Sequence, residues 1–208
     1  MTGFEVRTVV AAPRERVWSA LTEPAEVRQW FGWDHPGLDE EIRYIFVDHA
    51  QAVPPDRIAL AGGQEIQVVD DGGRTVVRVV MPGESDEAYD ALAEGWRLFF
   101  AQLRFRLEQA PAGDRRTVRL SGVTGGSRLL AALDSAGVKE DWHRSRYLHM
   151  VVDADGLLVA ATAERPLTDE GPAPAALVVS GYGRDLAEVR AGWVERWRAT
   201  VGDDPVVE

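Results

Sequence analysis

Residues Glu5 to Phe31 read EVRTVVAAPRERVWSALTEPAEVRQWF, and 112 positions later Thr117 to His143 read TVRLSGVTGGSRLLAALDSAGVKEDWH. Seven pairs fall in register: Val6/Val118, Val17/Leu129, Trp18/Leu130, Ala20/Ala132, Leu21/Leu133, Val27/Lys139 and Trp30/Trp142, and six of the seven keep apolar character. At a shift of 97, Tyr89, Leu92, Gly95 and Trp96 fall on Leu186, Val189, Gly192 and Trp193, each group preceded by an apolar, β-like run. The chain reads as one unit written twice, the second copy about 15 residues shorter in its middle. A repeat of this kind sets where a core begins and ends, so it governs the reading of every element.

Within the first copy, Phe4 to Val10 alternates with β-branched residues as a strand does. Pro13 opens a helix at a position where its missing N–H is harmless, and Val17, Trp18 and Leu21 make its apolar stripe. Thr22-Glu23-Pro24 restarts the chain into a second short helix running to about Phe31. Past the linker WFGWDHPG, four β-like runs are expected at Ile42–Val47, Arg57–Ala61, Glu65–Val69 and Thr75–Met81, with hairpin signals at Gly62-Gly63 and Asp70-Asp71-Gly72-Gly73. Ser85 is placed to cap a following helix, with Asp86 and Glu87 in its positive first turn. Tyr89, Leu92, Trp96, Phe99 and Leu103 recur at helical spacing to about Glu108, and such a face must lie across a sheet to leave water.

The segment APRERVWSALTEPAEVRQWFGW at Ala12–Trp33, followed by the helix containing Gly95-Trp96, resembles the opening and closing motifs of the AHSA1-like (activator of Hsp90 ATPase homologue 1-like) family. The resemblance covers roughly residues 3–108. It implies an α+β, helix-grip (START/Bet v 1-like) fold, an antiparallel sheet wrapped around a long C-terminal helix. The family has about six strands where this chain shows about four, so the sheet is expected to be trimmed. On this reading residues 1–110 form the AHSA1-like domain and residues 111–208 a second, shorter, degenerate unit of the same kind. In that unit a strand is expected at Arg116–Ser121, a helix capped by Ser127 and ended by Gly137, and a second short helix at residues 138–145. A hairpin at Tyr147–Val152 and Leu157–Ala163, a strand at Ala175–Ser180 and a closing helix at Arg184–Val201 follow.

Composition narrows the function classes. With 45% apolar and 27% charged residues in 208, the chain has the makeup of a soluble globule, and no run approaches the ~18 apolar residues of a membrane span. The start MTGFEVRTVV lacks a signal-peptide pattern, so a cytoplasmic address is expected by default. The absence of cysteine excludes disulfides and thiolate chemistry. A net charge of −11, spread over both halves, would repel a polyanion, so nucleic acid is not an expected partner. One lysine against 22 arginines, with abundant Ala, Val, Gly and Asp, suggests a GC-rich bacterial coding sequence.

Trp30, Trp33, Trp96 and Phe99 come from elements that, in a helix-grip fold, surround a cavity between helix and sheet. They are candidates to line a pocket for a hydrophobic or aromatic small molecule, with core packing as the plainer reading for Trp96 and Phe99 and a pocket mouth for Trp33. His35, His49, His143 and His149 are the only imidazoles and none has metal-site spacing, so no metal and no cofactor are expected. His49 beside Asp48 and near Tyr44 offers acid–base chemistry on an enolisable substrate, against the plainer reading of a surface histidine. No nucleophile elbow, phosphate-binding loop or dinucleotide fingerprint occurs, and no catalytic residue is assigned. The resemblance implies two further classes, an enzyme similar to polyketide cyclases and aromatases, and a chaperone-accessory interaction module. Open edges of a trimmed sheet also allow a homodimer.

Overall fold

In the computed structural model, which describes residues 2–85 and 89–208, the alternating stretch Thr2–Val10 is β1. Helices α1 (Arg14–Thr22) and α2 (Pro24–Val27) follow. Next come α3 (Leu38–Arg43) and a wide π-helical turn, Tyr44–Asp48. Strands β2 (Gln51–Val53), β3 (Arg57–Ala59), β4 (Glu65–Asp70), β5 (Thr75–Met81) and β6 (Glu84–Ser85) precede the long helix α4 (Ala91–Glu108). The sheet runs β2-β3-β4-β5-β1-β6 and is antiparallel except at the short β1–β6 pair.

The chain divides into two compact units, Met1–Gly32 with Pro36–Pro111, and Trp33–His35 with Ala112–Glu208. The second contains β7 (Arg115–Thr124), α5 (Gly126–Asp134), β8 (Val138–Arg144), β9 (Leu148–Asp153), β10 (Leu158–Ala163), β11 (Ala173–Tyr182), α6 (Ala187–Val201) and β12 (Val206–Val207). Its sheet order is β12-β7-β11-β10-β9-β8. In both units the opening strand pairs with the last long strand, and the meander then runs back one strand at a time.

Each sheet carries a row of directly opposed apolar residues, one through Val6 and one through Val118. In the first unit Val6 pairs with Val79, Val79 with Ile66 and Ile66 with Ile58. In the second, Val118 pairs with Val179, Val179 with Val159 and Val159 with Val151. Directly opposed residues share a face, so each row is a continuous apolar ridge across four strands. All eight residues are at most 4% exposed. Burial of each contributes roughly 1.5–3 kcal/mol. Trp96, Phe100 and Leu103 of α4 join the core containing the first ridge, and Trp193 and Trp197 of α6 join the core containing the second.

Four expectations are corrected. Ile42–Val47 is the end of α3 and the π-helical turn rather than a strand. Its buried residues are Leu38, Ile42 and Phe46, spaced by four as a helix requires, and Asp39, Glu40 and Glu41 sit in the favourable first turn. Residues 138–145 hold strand β8 rather than a helix. β9 is buried along its whole length and takes β8 as its edge partner, with two register irregularities absorbing the polar KEDWHR sequence. Neither expected serine cap forms. Asp90 caps α4, its carboxylate accepting the N–H groups of Leu92 at 2.9 Å and Ala93 at 3.1 Å, while Ser85 belongs to β6 and Asp86 and Glu87 lie outside the described residues. Ser127 lies inside α5 and its hydroxyl donates to Glu170. At the shift of 112, α5 coincides with α1, whereas Trp30 follows α2 and Trp142 lies in β8.

All three hairpin turns stand where expected, Gly62-Gly63 joining β3 to β4. The Asp70–Gly73 turn joins β4 to β5, with Gly72 at φ 64° in the left-handed region that favours glycine. In the second unit the Asp153 carboxylate accepts the N–H groups of Asp155 at 3.0 Å and Leu157 at 2.8 Å, closing the β9–β10 turn.

Candidate functional site

The expected aromatic residues of the first unit are brought into contact with one another, Trp30 and Trp96 buried and Phe99 partly so. Trp30 is fully buried, and its indole N–H donates to the Ala20 carbonyl at 2.8 Å. Its ring meets Phe31 and Phe46 edge to face, each at 5.9 Å. Phe31 continues the chain of rings to Phe99 at 4.6 Å, and Phe99 to Trp96 at 6.1 Å. Trp96 donates to the Gln64 side-chain oxygen at 2.6 Å. Ring contacts at these separations stabilise a filled core, and a buried indole needs the acceptor each of these two has found.

Tyr44 and His49 lie on the surface. Tyr44 is 52% exposed, its ring stands 4.1 Å from that of His49, and His49 Nδ1 is 3.1 Å from the Tyr44 carbonyl oxygen. The pair flanks the π-helical turn, with the imidazole in solvent. Trp33 belongs to the second unit, where it lies under the Arg119 guanidinium. The six expected site residues thus fall in three places: a packed core, an exposed pair, and the other unit.

Beside that core is a cleft of 530 Å³ lined by Pro24 and Ala25 of α2, Arg28 just after it, Asp39, Ile42 and Arg43 of α3, and Val47 and Asp48 of the π-helical turn. Pro24, Ala25, Ile42 and Val47 supply its apolar surface. Arg28 pairs with Asp39 at 2.9 Å and Arg43 with Asp48 at 3.3 Å. The π-helical turn is what aligns this wall. The His49 N–H reaches the Tyr44 carbonyl five residues back at 3.2 Å, so the turn is wider than an α-helical one. Ile42 and Val47, like Arg43 and Asp48, are five apart. An apolar floor with hydrogen-bonding groups at the rim and a volume between 300 and 1,000 Å³ is the usual makeup of a small-molecule site.

Two carboxyl groups depart from their ordinary range, and neither lines this cleft. Burial pushes Glu94 up from 4.5 against the opposing pull of the adjacent Arg97. Burial likewise raises Asp153 above 3.8, outweighing the two N–H groups it accepts. Among the described residues, no group of three His, Asp or Glu side chains gathers around a point that would hold a metal ion. No helix among them is long and apolar enough to cross a membrane.

Arg28, Asp39, Ile42, Arg43 and Val47 are absent from the sequence-based site. Composition hides them, because Ile, Tyr, Phe and Val in succession suggest a strand. The spacing of Leu38, Ile42 and Phe46 is the signal that would have found the helix and so the wall.

A sequence model of the family described as activator of Hsp90 ATPase homolog 1-like protein matches residues 11–145. No curated protein matches the chain. Among solved structures, it is similar to DynU16, described as a putative protein in the dynemicin biosynthetic locus, at 19% identity over 96% of this chain and 95% of that one, with a TM-score of 0.38. CalU16 from Micromonospora echinospora is 20% identical over 50% of this chain and 65% of its own, with a TM-score of 0.37. A protein from Colwellia psychrerythraea, described as an Aha1 dimer, is 19% identical over 52% of this chain and 97% of its own, also with a TM-score of 0.37. With the family model spanning well over half of its 208 residues, the chain belongs to the activator of Hsp90 ATPase homolog 1-like family.

Proposed function

We propose that the first unit binds a small molecule with a hydrophobic or aromatic body in the cleft between α2 and α3, outside the packed aromatic core. The observation that carries this reading is the 530 Å³ cleft itself, with Ile42 and Val47 in its wall and Arg28 and Arg43 at its margin. An apolar body displaces water from the floor, and each Å² so buried is worth about 25 cal/mol. Arg28 and Arg43 add positive charge beside that surface, which favours a polar or anionic substituent on the ligand. The fold family hosts many activities, so the site rather than the fold supports this reading. Tyr44 and His49 are exposed and do not line this cleft, so no acid–base role in it is proposed for them.

The test uses 1-anilinonaphthalene-8-sulfonate, an aromatic body with one anionic group, titrated by fluorescence and calorimetry. Saturable binding with one molecule per chain is expected. Val47 is 47% exposed, so Val47→Glu leaves the core intact and places a charge on the floor. It is expected to weaken binding by tenfold or more, on the order of 1.4 kcal/mol. Unchanged affinity in the Val47→Glu variant would remove the cleft as the site.

A further inference from the structure

A second concavity lies wholly within the second unit and is independent of the first cleft. It measures 360 Å³ and is lined by Arg116 and Val118 of β7, by Arg184, Asp185 and Leu186 between β11 and α6, and by Ala187 and Arg190 in the first turn of α6, with Asp34, Thr117 and Glu208 beside them. Arg116 is held at the mouth by its ladder pairing with Gly181, and Ala187 and Arg190, three apart, share one helix face.

The lining carries three guanidiniums and three carboxylates, and the two sets are engaged differently. Each of the three carboxylates is already engaged: Asp34 accepts the Thr117 N–H at 2.8 Å, Asp185 accepts the Ala187 N–H at 3.0 Å, and Glu208 pairs with Arg119 at 2.8 Å. The three guanidiniums of Arg116, Arg184 and Arg190 make no ion pair or side-chain hydrogen bond within the described residues. Three uncommitted fork-shaped donors around one hollow suit an oxyanion with several acceptor oxygens, which Arg binds bidentately. Leu186, only partly buried, adds apolar surface beside them. Asp185 already occupies the end of α6, so the arginines rather than the helix carry the recognition.

We propose that this cleft binds a small organic anion through a phosphate or carboxylate group, its carbon skeleton resting on Leu186. Such a ligand must overcome the overall charge of −11, which makes a local arginine cluster the necessary device.

The experiment titrates the full chain with phenyl phosphate, benzoate and phenol, by calorimetry and by following the arginine side-chain N–H resonances in the NMR spectrum of the unmodified protein. Phenyl phosphate or benzoate is expected to shift three guanidinium resonances with one affinity, phenol to shift none, and the affinity to fall as salt is raised. Binding of only one anion identifies which oxyanion the site takes. The Arg184→Gln and Arg190→Gln variants are each expected to bind about tenfold more weakly or worse. Phenol shifting the resonances of Arg116, Arg184 and Arg190 as strongly as its anionic counterparts, anions leaving those three unmoved, or the variant carrying both Arg184→Gln and Arg190→Gln leaving the anion-induced shift of Arg116 unchanged would each overturn the proposal. The resonance readout needs no substitution, so a variant that failed to fold would leave the test intact.

Discussion

The guanidinium of Arg119 lies 4.7 Å over the ring of Trp33. One residue along, Asp34 accepts the backbone N–H of Thr117, so Trp33–His35 is fastened to β7 by a stacked cation and a hydrogen bond together. A tryptophan that the sequence places at the mouth of the first unit's pocket is thus an anchoring residue of the second. Trp33→Ala is expected to lower stability by about 1–2 kcal/mol, measured by urea denaturation. Hydrogen exchange is expected to quicken in β7, and dye binding at the first cleft to stay unchanged. Loss of dye binding with unaltered stability would return Trp33 to a ligand role.

The Trp96 indole is part of the core and also meets a specific acceptor. Trp96→Phe keeps a ring in place and strands the Gln64 side-chain oxygen that now receives the N–H at 2.6 Å. A loss of about 1–3 kcal/mol is expected. Trp96→Ala removes the ring contacts as well and is expected to cost about 3–5 kcal/mol. Equal losses in the two variants would show that the hydrogen bond, rather than the filled volume, dominates.

Gly126, the first residue of α5, has the Leu167 carbonyl where a side chain would begin. An added Cβ would stand 2.1 Å from that oxygen and 2.5 Å from its carbon, both backbone atoms with little room to yield. Gly126→Ala is expected to destabilise by about 1–3 kcal/mol, with the loss read as a lower denaturation midpoint. An unaffected midpoint would mean that the segment bearing Leu167 moves aside freely.

Asp153 supplies a pH dependence of known sign. Its carboxyl is raised above 3.8 by burial, so the folded protein holds that proton more tightly than the unfolded chain does. The stabilising contribution is complete below 3.8 and is lost as pH rises through the folded value. Asp153→Asn keeps the oxygen that accepts from Asp155 and Leu157 and removes the charge. The variant is expected to match the parent below 3.8 and to gain on it as pH approaches neutrality, seen as urea midpoints diverging upward. A deficit at neutral pH would mean that the ionised carboxylate strengthens the turn by more than burial penalises it.

Much of the architecture was legible because its apolar periods are strong. The alternation of β1 and the helical spacing of α4 and α6 identify their elements, and the paired glycines mark turns. Two segments were misread for opposite reasons. At Ile42–Val47 β-prone composition outweighed the four-residue spacing of the buried side chains, whereas at residues 138–145 the sequence register was carried past α5, where the elements no longer match. The clefts were not legible, because their linings come from separate elements whose approach no local pattern encodes. The arginines of the second concavity are ordinary surface residues until β7 and α6 bring them around one hollow.

The wide turn at Tyr44–Asp48 fits one more residue into the wall of the first cleft than an α-helical turn would hold. Excising Ile45 would let the bonds revert to the usual winding, which takes up the missing residue and leaves the flanking segments in nearly the same orientation. Ile42 and Val47 would then stand four apart and still share a face, so the extra residue acts as a spacer that widens the cleft rather than as the hinge that holds it together.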